Sequence, residues 1–340
     1  MGVQFKELVT ARQIDTKALA GKTLIVDSSM WLYQFLSSIR APDGSLFTDS
    51  KGRVTSHLLG LSTRVPNLIQ KGIKLAFCFD GQPPELKYHE QKRRKKVKMQ
   101  AELKYQEAVK KEDLAEMKKY AARTSRLTSD MVEDAKKLIR ALGLPVIQAP
   151  SEAEAQAAYI VKQDKAYAIA SHDYDSLLFG APRVIRNLSI AGKKKKAQII
   201  QPELISLAET LNSLGIDQDQ LIALAMLIGT DYNIGGISGI GPKTALKLVK
   251  EHKGDFDELF KKVKWDSFFD CPWTEVFYLI KKMPTTNDYD LEWKKPNKDK
   301  LSDLLVNEHN FSEERVSSMM EKLEKETKNR AQKGLSSWLK

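Results

Sequence analysis

Residues 166–175 read AYAIASHDYD: a short apolar run, then two aspartates, Asp173 and Asp175. The run has the length and small, β-branched character of a buried strand. Two other segments repeat the pattern. TLIVD over 23–27 ends on Asp27, and LAFCFD over 75–80 ends on Asp80. Further apolar runs at 145–148 and 184–186 read as strands as well. Helical patterns lie between them at 30–39, 55–70, 128–142 and 152–163, and Pro66 is expected to kink the second. Strands alternating with helices predict an α/β fold, a mostly parallel central sheet flanked by helices. From about Glu203 onward the chain reads mainly helical, and no internal repeat is visible.

In an open parallel sheet, functional groups collect outside the carboxyl ends of the strands. Asp27, Asp80, Asp173 and Asp175 are therefore expected along one edge. In extended backbone, residues i and i+2 face the same way about 6–7 Å apart, so Asp173 and Asp175 can share a site. Glu152 and Glu154 follow the strand at 145–148 and open a helix. Ser151 with Glu154 also fits a capping box, so these acids have a purely local reading too. Asp231, just after an apolar helix at 221–228, reads by itself as a turn residue. Clustered carboxylates raise one another's pKa, and a hard divalent cation relieves that repulsion. Mg²⁺ or Mn²⁺ fits, because two cysteines and five histidines provide no soft-metal cluster. A metal pair held by carboxylates suits in-line attack on a phosphodiester. His172, beside the acids, reads as structural rather than catalytic.

Hydrophobic residues make up 42% and charged residues 29% of the 340, with mean hydropathy -0.40, which excludes a mainly disordered chain. The longest apolar stretch, 221–229, falls far short of the roughly 20 residues needed to span a bilayer. The opening MGVQFKELV has no signal-peptide core, and Cys78 and Cys271 cannot build a disulfide framework, so an intracellular compartment is expected. The net charge of +11 is concentrated. Between Gln82 and Arg126 there are fourteen Lys/Arg against seven Asp/Glu, a net of +7 in 45 residues. These residues are good helix formers with only scattered apolar ones, which describes a solvated surface helix or one built to touch a polyanion.

DYNIGGISGIGPK over 231–243 joins the apolar helix to another that starts near Lys243. Closely spaced glycines admit a phosphate, and Pro242 suits the first helical position. Exposed N–H groups there, with Lys243, form an anion site that reads no bases. A tight structural turn is the competing reading. The segment resembles the helix-hairpin-helix family of non-specific DNA binders.

Taken together, five blocks closely resemble the flap endonuclease (structure-specific 5′ nuclease) family in its archaeal form. They are DSSMWLYQFL (27–36), FDGQPPELK (79–87), APSEAEAQA (149–157), SHDYDSLLFG (171–180) and GTDYN (229–233). The likeness runs over essentially the whole chain. It implies seven metal-site acids: Asp27, Asp80, Glu152, Glu154, Asp173, Asp175 and Asp231. It implies two Mg²⁺ ions, with Mn²⁺ as a substitute. It also implies a helical arch insertion whose Lys87 and Arg94 contact the scissile phosphate, supplying positive charge where it builds up. Tyr33 matches the family's aromatic near the scissile nucleotide, while Trp31 reads as either that kind of residue or core. Gly2 matches a residue near the substrate. The hairpin glycines Gly236, Gly239 and Gly241, with Lys243, match the site for downstream duplex, where a K⁺ ion bridges backbone and phosphate.

The tail QKGLSSWL over 332–339 resembles the short peptide that docks enzymes on the sliding clamp PCNA, with Gln332, Leu335, Trp338 and Leu339 as anchors. Leu339 departs from the usual second aromatic. The chain stops there, which favours an archaeal and hence cytoplasmic protein; a eukaryotic one would be nuclear. The expected organisation is a nuclease core at 1–81 and 128–225, a basic arch at 82–127, a helix-hairpin-helix-type DNA-binding motif at 226–258, a C-terminal helical part at 259–325 and a clamp-binding tail at 326–340. The expected substrate is branched DNA with a 5′ flap, cut by a monomer with no membrane association. A non-catalytic clamp-bound DNA adaptor is the alternative from another class, and seven acids near DNA count against it. A sister 5′ nuclease with another junction preference is the alternative within the class. The lack of a large insertion between the catalytic halves argues against the bubble-cutting type.

Overall fold

A computed structural model describes residues 5–192, 194–195 and 198–324. The strands are β1 (Ala11–Gln13), β2 (Thr23–Asp27), β3 (Lys74–Phe79), β4 (Val146–Gln148), β5 (Ala168–Ala170), β6 (Arg183–Arg186), β7 (Lys194–Lys195), β8 (Gln198–Ile199) and β9 (Glu203–Ser206). The helices are α1 (Ser28–Ser38), α2 (Ser56–Ile69), α3 (Tyr88–Lys110), α4 (Leu114–Ala121), α5 (Ser129–Ala141), α6 (Ala153–Lys162), α7 (Asp175–Leu178), α8 (Leu207–Leu214), α9 (Gln218–Ile228), α10 (Pro242–His252), α11 (Phe256–Lys262), α12 (Trp273–Lys281) and α13 (Lys298–Ser302).

Seven strands form one sheet in the order β1-β9-β6-β5-β2-β3-β4. The five from β6 to β4 are parallel, and β9 and β1 complete one edge antiparallel. The parallel core agrees with the sequence reading; the two edge strands do not come from it. β1 is exposed at all three positions and carries no apolar pattern, and β9 has only Leu204 and Ile205 to bury. Residues 203–206 thus pair with β6 before the helical region starts. The lysine run at 193–196, read as an exposed loop, contributes Lys194–Lys195 to a two-strand pairing with Gln198–Ile199.

Alternation along the strands divides the core into two layers, as a period of two requires. Ile25, Ala76, Cys78 and Ile169 pack with α6, α7 and α9 on one face. Leu24, Val26, Leu75, Phe77 and Phe79 pack with α1, α2 and α5 on the other. Trp31 is core, meeting Phe77 edge-on at 5.9 Å between ring centroids. α2 runs on past Pro66 to Ile69. The basic segment forms two helices, α3 and α4, and α3 buries only Glu90, Ala101 and Ala108. Among the described residues, no helix is long and apolar enough to cross a membrane.

β2 is the hinge of this topology, since the chain moves from it outward to β3 and β4, then returns to its other side with β5. A crevice at the carboxyl end of such a switch point is where open α/β sheets bind ligands. β2, β3 and β5 deliver their trailing acids to it. α6 lies close over the same strands through its buried Ala153, Ala155, Ala157 and Ala158, which bring its first turn and two glutamates to the crevice.

Candidate active site

All seven acids line one cavity of about 620 Å³, together with Lys87, Arg94 and Tyr33. Asp27 ends β2 and caps α1, accepting the Met30 N–H at 3.1 Å. Asp80 accepts the Ser29 hydroxyl at 2.5 Å and the Ala153 N–H at 2.8 Å, so the acid after β3 caps α6. The local capping box does not form. Glu152 occupies the N-cap position without a side-chain cap bond, and the Ser151 hydroxyl donates to the Gln82 carbonyl at 2.9 Å. Both glutamates are thereby left for the cavity, Glu152 accepting from Lys87 and Glu154 from the hydroxyls of Ser171 at 2.9 Å and Ser176 at 2.6 Å. Asp175 opens α7, and Asp231 enters from the turn after α9.

The acids strain against one another. Burial pushes the Asp27 carboxyl up to about 8, with Asp80 and Asp173 adding to the shift against the hydrogen bonds from Met30 and Ser171. Burial and the charges of Asp27, Asp175 and Asp173 likewise push Glu154 well up. Two cations offset part of this. The Lys87 ammonium lies 2.6 Å from Glu152 and 3.5 Å from Asp231. Burial opposes its charge, but Glu152, Asp231 and Asp80 outweigh burial and hold its pKa above the usual lysine value. Arg94 donates from Nη2 to both oxygens of Asp231, at 2.6 and 2.8 Å. The lining provides oxygen donors and neither Cys nor His among the described residues. Buried carboxylates with raised pKa values and an oxygen-only donor set fit hard divalent cations.

Tyr33 is 37% exposed, with the Lys98 ammonium 4.6 Å above its ring centroid, and Trp31 is the buried partner of that pair. His172 does not line the cavity; its Nε2 lies 2.7 Å from the Ser189 hydroxyl, and burial pushes its pKa down. Sequence reasoning missed the hydroxyls of Ser29, Ser171 and Ser176 that hold the acids. Residues 172–174 form a bend, with Tyr174 in helical backbone, so this bend and the start of α7, rather than the extended spacing expected from the sequence, bring Asp173 and Asp175 to one cavity.

The glycine segment joins α9 to α10, with Gly241 at the N-cap and Pro242 at the first helical position. Its glycines differ in kind. Gly236 has φ +61°, and an added Cβ would come 2.4 Å from the Leu227 carbonyl oxygen. Around Gly239 and Gly241 a Cβ would meet nothing within 4 Å. Gly236 therefore closes the turn onto α9, while the other two leave backbone open next to the exposed Lys243. The anion-site reading thus rests on Gly239, Gly241 and Lys243. Gly2 and the tail positions Gln332, Leu335, Trp338 and Leu339 lie outside the described residues.

The model of the XPG N-terminal domain matches residues 1–101, and that of the XPG I-region matches 143–231. The chain is similar to Flap endonuclease 1 of Hyperthermus butylicus, with 48% identity over 351 residues and 100% of each chain covered. Among solved structures it is similar to flap endonuclease-1 from Methanococcus jannaschii, at a TM-score of 0.77 and 41% identity, with 97% of this chain and 100% of that one covered. It is also similar to the catalytic core of Rad2 in complex with DNA substrate, at a TM-score of 0.69 and 25% identity, with 95% and 100% covered.

Proposed function

The chain belongs to the flap endonuclease family, and from that premise we propose how its acid cavity performs the family's work. The protein is a structure-specific 5′ flap endonuclease, a hydrolase acting on DNA. The proposed reaction is hydrolysis of the phosphodiester at the junction between unpaired 5′ strand and duplex, with 5′-to-3′ exonuclease activity besides. Asp27, Asp80, Glu152, Glu154, Asp173, Asp175 and Asp231 hold two Mg²⁺, or Mn²⁺ in their place. When bound, such ions supply the Lewis acidity that makes water a nucleophile near neutral pH and steadies charge on the phosphate.

This chain's own groups do the rest. Glu152 and Asp231 keep Lys87 and Arg94 at the cavity, where both cations can turn their donors to the scissile phosphate. Asp80 fixes the first turn of α6, which sets where Glu152 and Glu154 stand. Tyr33 offers an exposed ring to the unpaired nucleotide. α3 and α4 serve as the basic arch of residues 82–127, between the nuclease-core parts 1–81 and 128–225. Gly239, Gly241 and Lys243, within the DNA-binding motif at 226–258, take downstream duplex through its phosphates, and the open backbone at the two glycines would hold a K⁺ ion there. Residues 259–325 complete the core, and the tail at 326–340 docks on PCNA. The setting is replication, in Okazaki fragment processing, and repair, by a cytoplasmic monomer.

One observation carries the reading: acids trailing four parallel strands and one helix converge on a single cavity that also receives five cations from the basic segment, Lys87, Arg94, Lys95, Lys98 and Arg126. A non-catalytic adaptor has no use for that concentration of negative charge beside DNA. The test is a labelled 5′-flap duplex incubated with Mg²⁺, with Mn²⁺ and with chelator, the products being mapped to the nucleotide. Junction cuts with either ion and none with chelator are expected. Cutting that persists in chelator, or binding without cutting under either ion, rejects the metal-dependent reading.

A further inference from the structure

Glu90 is an anomaly on α3. The helix is basic and solvent-facing, yet this glutamate is only 2% exposed. Glutamate is almost never fully buried unless it is paired. Here it accepts three charge-assisted hydrogen bonds: from Arg93 Nε at 2.6 Å, Arg93 Nη2 at 2.7 Å and Arg94 Nε at 2.6 Å. Burial opposes its charge, but the bonds from Arg93 and Arg94 outweigh burial and keep its carboxyl below the usual range. Glu90 is not among the residues lining the acid cavity, so any effect on the reaction passes through a neighbour.

That neighbour is Arg94. A guanidinium is planar, and anchoring Nε fixes the plane and the direction of the Nη donors. With Nε held by Glu90, Nη2 reaches into the cavity and forks onto Asp231. Arg93 is taken out of competition, since its Nε and Nη2 are both on the same carboxylate. We propose that Glu90 is a positioning residue, whose carboxylate aims the Arg94 guanidinium at the phosphate being cut. The inference rests on the reading of Arg94 as a phosphate contact. Freed from Glu90, Arg94 would keep only its Nη2 bonds to Asp231, and with Nε unanchored the plane of the guanidinium could turn about that one contact, so the aim of its donors would be lost.

The test is a double-mutant cycle in single-turnover flap cutting with Mg²⁺, using Glu90→Gln, Arg94→Ala and the pair. Glu90→Gln should slow the cutting step about tenfold, as for directly coupled neighbours, and change flap affinity less than about twofold. In the Arg94→Ala background the same change should slow cutting less than about twofold. Circular dichroism melting of each variant reports helix loss separately. Equal slowing by Glu90→Gln in both backgrounds means a general structural role and overturns the proposal. So does a slow Arg94→Ala beside a fully active Glu90→Gln. If Arg94→Ala cuts like wild type, the phosphate-contact reading itself fails and the positioning role falls with it.

Discussion

Arg94 clasps Asp231 through both carboxylate oxygens, at 2.6 and 2.8 Å, across 137 residues of sequence. A fixed cation is thus placed on one of the acids proposed to serve divalent ions. A positive charge beside a cation site weakens it, by about 1 kcal/mol for partly screened neighbours. Without DNA, Arg94→Ala should therefore bind Mn²⁺ about fivefold more tightly, and yet cut flaps about a hundredfold more slowly. Calorimetric titration with Mn²⁺ beside a cutting assay reads both. Unchanged or weaker metal binding contradicts the competition.

The hairpin glycines separate packing from ligand contact. Gly236→Ala forces a Cβ toward the Leu227 carbonyl oxygen at a positive φ, and should cost at least about 2 kcal/mol in denaturant unfolding. Gly241→Ala, at φ −91° with open space around it, should leave stability within about 0.5 kcal/mol. It should nevertheless weaken duplex binding by blocking close approach. Lys243→Ala should weaken binding and lower the slope of log affinity against log salt by about one. Gly241→Ala that binds duplex like wild type removes the hairpin from the DNA interface.

His57 is fully buried in α2, and burial pushes its pKa down to about 4, with His309 adding to that and Asp134 opposing. Unfolded, it titrates near 6.5. A depressed folded pKa means that its contribution to stability is present above pH 6.5 and is lost as pH falls toward 4. Between pH 7 and 4.5, wild type should lose about 2 kcal/mol more than His57→Gln in urea unfolding. Parallel pH profiles for the two proteins contradict this.

The parallel core and four of the acids were legible because a parallel sheet encodes itself locally. Each apolar run ends where its side chains reach the crevice, so TLIVD and LAFCFD announce both the strand and the acid it sends to the cavity. Glu152 and Glu154 were ambiguous for a physical reason: acids favoured by a helix N-terminus look the same as acids held for a ligand. Only the fold shows Asp80 supplying the cap in their place. Asp231 could not be placed from its own surroundings, since tertiary packing of α9 brings it to Arg94. The edge strands escaped because β1 buries nothing and β9 buries two residues. The serine hydroxyls on Asp27, Asp80 and Glu154 depend on contacts between elements that no single segment records.

The acid cavity is proposed to be where DNA is cut. The direct measurement is single-turnover cutting of a labelled 5′-flap duplex in Mg²⁺ by wild type and Asp173→Asn, with flap binding measured on both. The prediction is junction cutting by wild type and a loss of at least about a thousandfold in the variant, with binding unimpaired. Cutting by Asp173→Asn within about tenfold of wild type would contradict it.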